Sequence, residues 1–220
     1  MARRVRGEPL AWITGSTTFC DLRVRIDLGV YVPRPQSEPL ARRAASLLPA
    51  AAAAVDVCTG SGAIAAVLRA SRPEATIVAS DVDPVAVSCA RRNGVTAVQG
   101  DLDDALPREL LGVVDVLVAV PPYVPTQELA MLPRDVLAYE PVRALDGGAT
   151  GTDLLLRLVE RSVRWLREGG ALLLELGGDQ AAPVSDAMTD AGFGDIRIGW
   201  DADGDVRSIE ACLTRFPRAG

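Results

Sequence analysis

The segment Val55-Asp56-Val57-Cys58-Thr59-Gly60-Ser61-Gly62-Ala63-Ile64-Ala65 constrains this chain more than any other. An apolar run short enough for one buried strand breaks at two glycines, and an alanine-rich helical stretch follows at once. Gly60 and Gly62 reach backbone angles closed to other residues, and they leave room for a ligand to touch the main chain at a helix N-terminus. The motif predicts a nucleotide-like ligand at residues 58–62. A tight strand-to-helix turn with no ligand is the other reading it leaves open.

From Val55 onward, strand-like apolar runs alternate with helical stretches, which predicts an α/β fold with a mostly parallel sheet covered on both faces. The predicted strands are Val55–Cys58, Thr76–Ser80, Ala97–Gln99, Val114–Val120, Ala171–Leu176, Ile196–Gly199 and Ser208–Thr214. The predicted helices are Gly62–Ala70, Pro84–Asn93 with Asp83 as cap and Gly94 as stop, Asp153–Arg167 stopped by Gly169-Gly170, and Gln180–Ala191. Ahead of them, alternation from Thr17 to Asp27, followed by Leu28 to Val32, predicts a β-hairpin with one wet face. Pro33-Arg34-Pro35 closes it, and Ser37 is placed to cap a helix over Glu38–Leu48. The expected organisation is a hairpin arm over residues 1–34 and one α/β domain over 35–220, with Ala50–Ala54 as a solvent-facing link. Beyond Val120, Pro121-Pro122-Tyr123-Val124-Pro125 opens an irregular connection to about Thr152. Long loops at the carboxyl edge of such a sheet tend to carry function, a plain surface excursion being the alternative.

Composition removes several chemistries. The 220 residues include no histidine and no lysine, so all 23 basic residues are arginine. Histidine general bases, Ser-His triads, Schiff bases and P-loop phosphate binding are therefore excluded. Cys20, Cys58, Cys89 and Cys212 stand singly, as free thiols of a reducing compartment, and no metal site is expected. A net charge of -6 argues against nucleic acid as a partner, and Arg42-Arg43 and Arg91-Arg92 read as solvated helix faces. No apolar run is long enough for a membrane span, and the basic N-terminus lacks the apolar stretch of a secretion signal, so a cytoplasmic location is expected.

Asp81 ends the second predicted strand, 19 positions beyond Gly62, where a carboxylate can accept hydrogen bonds from both hydroxyls of a ribose. Asp83 already fills the cap of the next helix, which frees Asp81 for a ligand. Asp101 ends the third strand, placed to meet an adenine amino group with Leu102 packed on the ring; with Asp103 and Asp104 following, plain surface charge is the competing reading. Two adenosine-containing ligands fit: a nicotinamide dinucleotide and S-adenosylmethionine. A dehydrogenase usually needs a histidine or lysine proton relay, and this chain has neither. Methyl transfer from a sulfonium demands alignment and exclusion of water more than a strong base. Pro121 and Pro122 lack N–H groups and force extended geometry, so carbonyls near residues 120 and 121 can point outward to accept from a substrate amino or amide group, and Tyr123 offers a ring face or hydroxyl.

These residues, together with further motifs, resemble the HemK-type methyltransferases. The resemblance covers nearly the whole chain: Gly7-Glu8-Pro9-Leu10-Ala11-Trp12-Ile13-Thr14-Gly15 with Phe19, Val32-Pro33-Arg34-Pro35-Gln36-Ser37-Glu38, Asp56 to Ala65, and Ser80 to Ala86. It continues through Pro121-Pro122-Tyr123, Tyr139-Glu140-Pro141 with Ala144-Leu145-Asp146-Gly147-Gly148 and Gly151, and Leu174-Glu175-Leu176-Gly177 with Gln180. It implies a Rossmann-like, seven-stranded sheet and methylation, by S-adenosylmethionine, of a glutamine side-chain amide in a peptide-chain release factor. It implies cofactor contacts from Cys58, Thr59, Gly60, Ser61, Gly62, Asp81 and Leu102 and acceptor contacts from Val120, Pro121, Pro122 and Tyr123; Val82, Asp101 and Val120 complete the cofactor site expected here. The family motif is Asn-Pro-Pro-Tyr, and Val120 stands where its asparagine belongs, which leaves acceptor positioning to backbone carbonyls. Another protein or small-molecule acceptor, or cofactor binding with weakened catalysis, stays open on that account. The family also carries a helical N-terminal domain, and this chain begins where that domain would end. The oligomeric state is left open.

Overall fold

In the computed structural model, which describes residues 2–214 and the side chains of all of these except 134 and 135, strands and one-sided helices alternate as their hydrophobic periods require. Two short helices, α1 (Ala2–Val5) and α2 (Leu10–Thr14), precede a hairpin of β1 (Ser16–Phe19) and β2 (Leu22–Arg25). The hairpin is earlier and tighter than expected. Cys20 and Asp21 both take positive φ, 47° and 64°, and form a two-residue turn whose twist matches its strands. Residues 28–32 are not a strand; there the Val30 carbonyl accepts the Trp12 indole N–H at 2.9 Å.

A 3-10 turn, Pro35–Ser37, leads into α3 (Glu38–Leu47). Ser37 has helical angles and makes no capping hydrogen bond, so its expected role as cap is replaced by a place on the wall of the cavity described below. Then follow β3 (Ala53–Val57), α4 (Ala63–Ser71), β4 (Thr76–Asp81), α5 (Pro84–Arg92), β5 (Thr96–Gln99) and β6 (Val114–Ala119). The alanine link is not solvent-facing: Ala52 and Ala54 are buried and Ala53 opens β3. Asp83 caps α5 as expected, accepting from the Val85 N–H at 2.9 Å. The loop after β6 is partly helical, with 3-10 turns Thr126–Met131 and Val142–Ala144 around α6 (Arg134–Tyr139). Last come α7 (Asp153–Ser162), β7 (Leu166–Glu175), α8 (Ala181–Asp190), β8 (Phe193–Trp200) and β9 (Val206–Leu213).

Seven strands form one sheet in the order β5-β4-β3-β6-β7-β9-β8, with only β9 antiparallel to its neighbours. Chain order reverses between β3 and β6, which opens a crevice at their carboxyl ends. On one face Ala54, Val116, Val118 and Leu173 pack with Ala41 and Ala44 of α3, Leu68 of α4, and Phe19, Val24 and Ile26 from the hairpin region. On the other, Val55, Leu117, Leu172 and Leu174 pack with Leu155 and Leu158 of α7 and Val184 and Met188 of α8. Complete burial of such side chains stabilises by roughly 1.5–3 kcal/mol each, which fixes the strand ends that carry the site.

The helix expected to run to Arg167 stops at Ser162, because Trp165 is needed elsewhere. Its indole N–H donates to Asp103 Oδ2 at 2.6 Å, Arg161 reaches Asp103 Oδ1 at 2.9 Å, and Arg164 also binds Oδ2. The chain straightens, the Val114 N–H donates to the Trp165 carbonyl at 3.0 Å, and Leu166 begins β7. Asp103 is therefore buried, at 3% exposure, and not the surface charge that was one reading of its acidic run. Burial pushes its carboxyl up, but Trp165, Arg161 and Arg164 outweigh that and hold it below the ordinary carboxylate range. Asp103→Ala strands the indole N–H and takes its buried carboxylate from Arg164 and Arg161, the latter keeping Asp104, so urea unfolding followed by tryptophan fluorescence should show a loss of about 2–3 kcal/mol. A loss under about 0.5 kcal/mol, the range of an ordinary surface change, would contradict this account.

Candidate functional site

A cavity of about 600 Å³ opens at the carboxyl ends of β3, β4, β6 and β7, within the size range of small-ligand sites. Its floor is the turn between β3 and α4. Asp56, buried at the end of β3, accepts the Thr59 hydroxyl at 2.5 Å and the Ala65 N–H at 3.0 Å on the same oxygen, Oδ2. Burial pushes the Asp56 carboxyl up to about 7, against the opposing pull of those two donors. The turn is held from outside by Asn93, whose amide donates to the Ser61 carbonyl at 2.8 Å and to the Arg25 carbonyl at 2.9 Å.

The two glycines do different work. Gly60 has φ +56° and open space where a side chain would stand, so its backbone faces the cavity. Gly62 has φ +79°, and a Cβ there would lie 2.9 Å from the Ala90 Cβ; it lets α5 pack closely and is not on the cavity wall.

Asp81 stands beside this turn. Its Oδ2 accepts the Gly60 N–H at 2.8 Å and its Oδ1 the Asp83 N–H at 2.9 Å, which clamp the carboxyl in one orientation. A carboxylate has about four acceptor positions, so each oxygen keeps one for a ligand. Burial raises the Asp81 pKa, chiefly opposed by the backbone donors of Asp83 and Gly60.

Cys58, Thr59, Gly60, Ser61, Asp81, Val82, Asp101, Leu102 and Val120 all line this cavity. Leu102 takes φ +54°, held by the buried Ser80 hydroxyl donating to its carbonyl at 2.6 Å. Asp101 is tied by Arg157 at 2.5 Å, so the adenine contact expected of it competes with a guanidinium.

At the other end are Val120, Pro121, Pro122 and Tyr123. The loop behind them is pressed tight: Gly151 has φ +75°, and a Cβ there would lie 2.3 Å from the Tyr123 carbonyl oxygen. Gln180 donates to that carbonyl at 2.6 Å while accepting the Gly177 N–H at 3.1 Å. Tyr123 donates its hydroxyl to Glu175 Oε1 at 3.1 Å, and burial followed by the nearby Glu175 charge pushes the phenol well above its ordinary pKa. Spacing alone did not single out Tyr31, Arg34, Ser37 and Glu175 as wall residues. Arg34 lies over the Tyr31 ring, 4.9 Å from its centroid, and binds the buried Glu140 at 2.6 Å, which joins the Pro-Arg-Pro turn to the loop beyond α6. The available signal for Glu175 was a lone carboxyl in the run Ala171–Leu176.

Asp56 makes stability depend on pH. Its folded pKa is raised from 3.8 to about 7, so the stability it contributes is fully present below about 4 and lost as pH rises to about 7. Asp56→Asn keeps an acceptor for Thr59 and Ala65 without titrating. The difference in unfolding free energy, wild type minus variant, should fall by up to about 1.4 kcal/mol per pH unit across that window and level off above it. Parallel curves from pH 4 to 8, measured by urea denaturation, would contradict the buried, protonatable carboxyl.

The Methyltransferase small domain family model matches residues 40–133. The chain is 37% identical to release factor glutamine methyltransferase of Mycolicibacterium smegmatis, over 100% of this chain and 79% of that protein. It is also 37% identical to 4-amino-L-phenylalanine/4-methylamino-L-phenylalanine methyltransferase of Streptomyces pristinaespiralis, over 83% of this chain and 65% of that one. Among solved structures it superposes on a methyltransferase from Pyrococcus furiosus with a TM-score of 0.65 at 19% identity, covering 88% of this chain and 90% of the other, a likeness of fold.

Proposed function

The chain belongs to the release factor glutamine methyltransferase family, and from that premise we propose that it methylates the side-chain amide nitrogen of a glutamine in a peptide-chain release factor. It is an S-adenosylmethionine-dependent methyltransferase. The observation that carries the proposal is one cavity with Gly60 and Asp81 at one end and Val120 to Tyr123 at the other. The cofactor supplies, when bound, a methyl group on a positively charged sulfur.

The remaining work falls to this chain's residues. Asp81 holds the ribose hydroxyls with its free lone pairs, and Gly60 lets the nucleoside lie against the backbone. Val82 and Leu102 flank the adenine, with Asp101 at its amino edge when Arg157 yields. Cys58, Thr59 and Ser61 line the approach, and Val120 borders both halves. Carbonyls near residues 120 and 121 accept from the acceptor N–H groups, while Pro122 and Tyr123 set its plane and exclude water. We read residues 35–220 as the catalytic unit, 1–34 as an arm, and the cytoplasm as its place; the stretch from 215 onward lies outside the described residues. Among the described residues no helix is long and apolar enough to cross a membrane.

A second acceptor class, a small-molecule amine, is favoured by two observations: Val120 replaces a polar motif residue, and one relative is named for a 4-amino-L-phenylalanine substrate. Asp81→Asn replaces one acceptor oxygen by an amide, so calorimetry with S-adenosylmethionine should show affinity weaker by about 10–100-fold, with NAD giving no signal in either protein. Unchanged affinity would remove Asp81 from the cofactor site. Incubating wild type with release factor and labelled S-adenosylmethionine should label one glutamine, and Val120→Asn should raise kcat/KM by about tenfold or more. An unchanged or lower rate in Val120→Asn, with transfer to an amine instead, would favour the second class.

A further inference from the structure

Glu175 ends β7 at the cavity wall with 3% of its surface exposed. A carboxyl tolerates such burial only with partners. Its Oε1 accepts the Tyr123 hydroxyl, whereas Oε2 is buried and has no hydrogen-bond partner among the described residues. Neighbouring groups do not satisfy Oε2. Burial raises the pKa of this carboxyl, with the Ser37 and Tyr123 hydroxyls and the Arg207 charge acting the other way, and no group comes within hydrogen-bond geometry of Oε2 itself; Arg207 makes its ion pairs with Asp201 and Asp205.

β6 and β7 run parallel with Ala119 beside Leu174, the last pair of the ladder; Val120 and Glu175 follow those two residues in the chain, and both line the cavity. Val120 offers no hydrogen bond. The cavity that holds the position of the missing asparagine is therefore also lined by a buried carboxyl with one oxygen to spare.

We propose that Glu175 Oε2 accepts an N–H from the methyl acceptor and turns the acceptor nitrogen toward the cofactor end of the cavity. This rests on the reading that the cavity transfers methyl groups to nitrogen. It also defines the substrate class: an amide or amine with an N–H to give. The step is one of binding and orientation, with no bond made or broken at Glu175.

The test uses the full chain loaded with S-adenosylhomocysteine, with propionamide and N,N-dimethylpropionamide as probes, since the second lacks any N–H. Ligand-observed NMR should show a preference of about tenfold or more for propionamide in the wild type, the equivalent of one hydrogen bond. Glu175→Gln keeps an oxygen for Tyr123 and turns an amino group into the cavity, so the preference should vanish while S-adenosylhomocysteine affinity stays within about twofold. Val120→Asn added to Glu175→Gln should bring the preference back, which a purely structural role for Glu175 would not do. Equal preferences in wild type and Glu175→Gln, or a wild type with none, overturn the proposal. So does loss of S-adenosylhomocysteine binding in Glu175→Gln, which would assign Oε2 to the cofactor. Because no protein substrate is needed, a wild type that prefers propionamide but leaves release factor unmethylated counts against the release-factor reading and supports the role of Glu175.

Discussion

One buried oxygen, Asp56 Oδ2, holds the turn on which the site is built. By accepting from Thr59 and Ala65 together it joins the end of β3 to the first turn of α4. The loop between is thereby forced through Cys58, Gly60 and Gly62, all at positive φ. That path aims the Gly60 N–H at Asp81, and Asp81 in turn is fixed by Asp83, the cap of α5. Three acidic residues at two successive strand-to-helix joins thus do separate tasks: one folds the turn, one faces the ligand and one starts the next helix. The same chain of contacts explains the placing of Gly62, whose missing side chain admits α5 and so brings Asn93 onto the Ser61 carbonyl.

The second half of the cavity depends on different physics. Pro121 and Pro122 carry no N–H and cannot extend the sheet, so the chain leaves β6 at Val120. It is then trapped by the Gly147-Gly148 and Gly151 stretch, with Val124 donating to the Leu145 carbonyl at 3.0 Å and Gln180 seizing the Tyr123 carbonyl. Arginine, the only basic residue type in the chain, is largely committed to ion pairs: Arg43 with Glu210, Arg34 with Glu140, Arg161 and Arg164 with Asp103. The wall is left rich in carboxyls, among them Asp81 and Glu175, a setting that favours cationic and N–H-bearing ligands over anions.

Local patterns were the legible part. The strand–glycine–helix motif, the Asp83 cap and Asp81 at a strand end each express a rule that operates within a few residues, and each stands where expected. Alternation also found every strand of the main sheet, though not every boundary. What escaped was decided by distant partners. The length of α7 is set by Asp103, about sixty residues earlier in the chain, capturing Trp165. The burial of Ala52 and Ala54 follows from neighbours on adjacent elements, because alanine itself carries no strong signal for core or surface. The hairpin turn at Cys20-Asp21 lacks the glycine that marks such turns. Glu175 drew attention only as part of a family motif, because its chemistry appears when β6 and β7 are laid side by side.

The account stands or falls on where a nucleoside sits. A crystal structure of the chain grown with S-adenosylhomocysteine should show the ribose hydroxyls within about 3 Å of Asp81, the adenine beside Val82 and Leu102, and the sulfur facing the Val120–Tyr123 end. A nucleoside bound elsewhere, or a ribose that leaves the Asp81 carboxyl untouched, would contradict it.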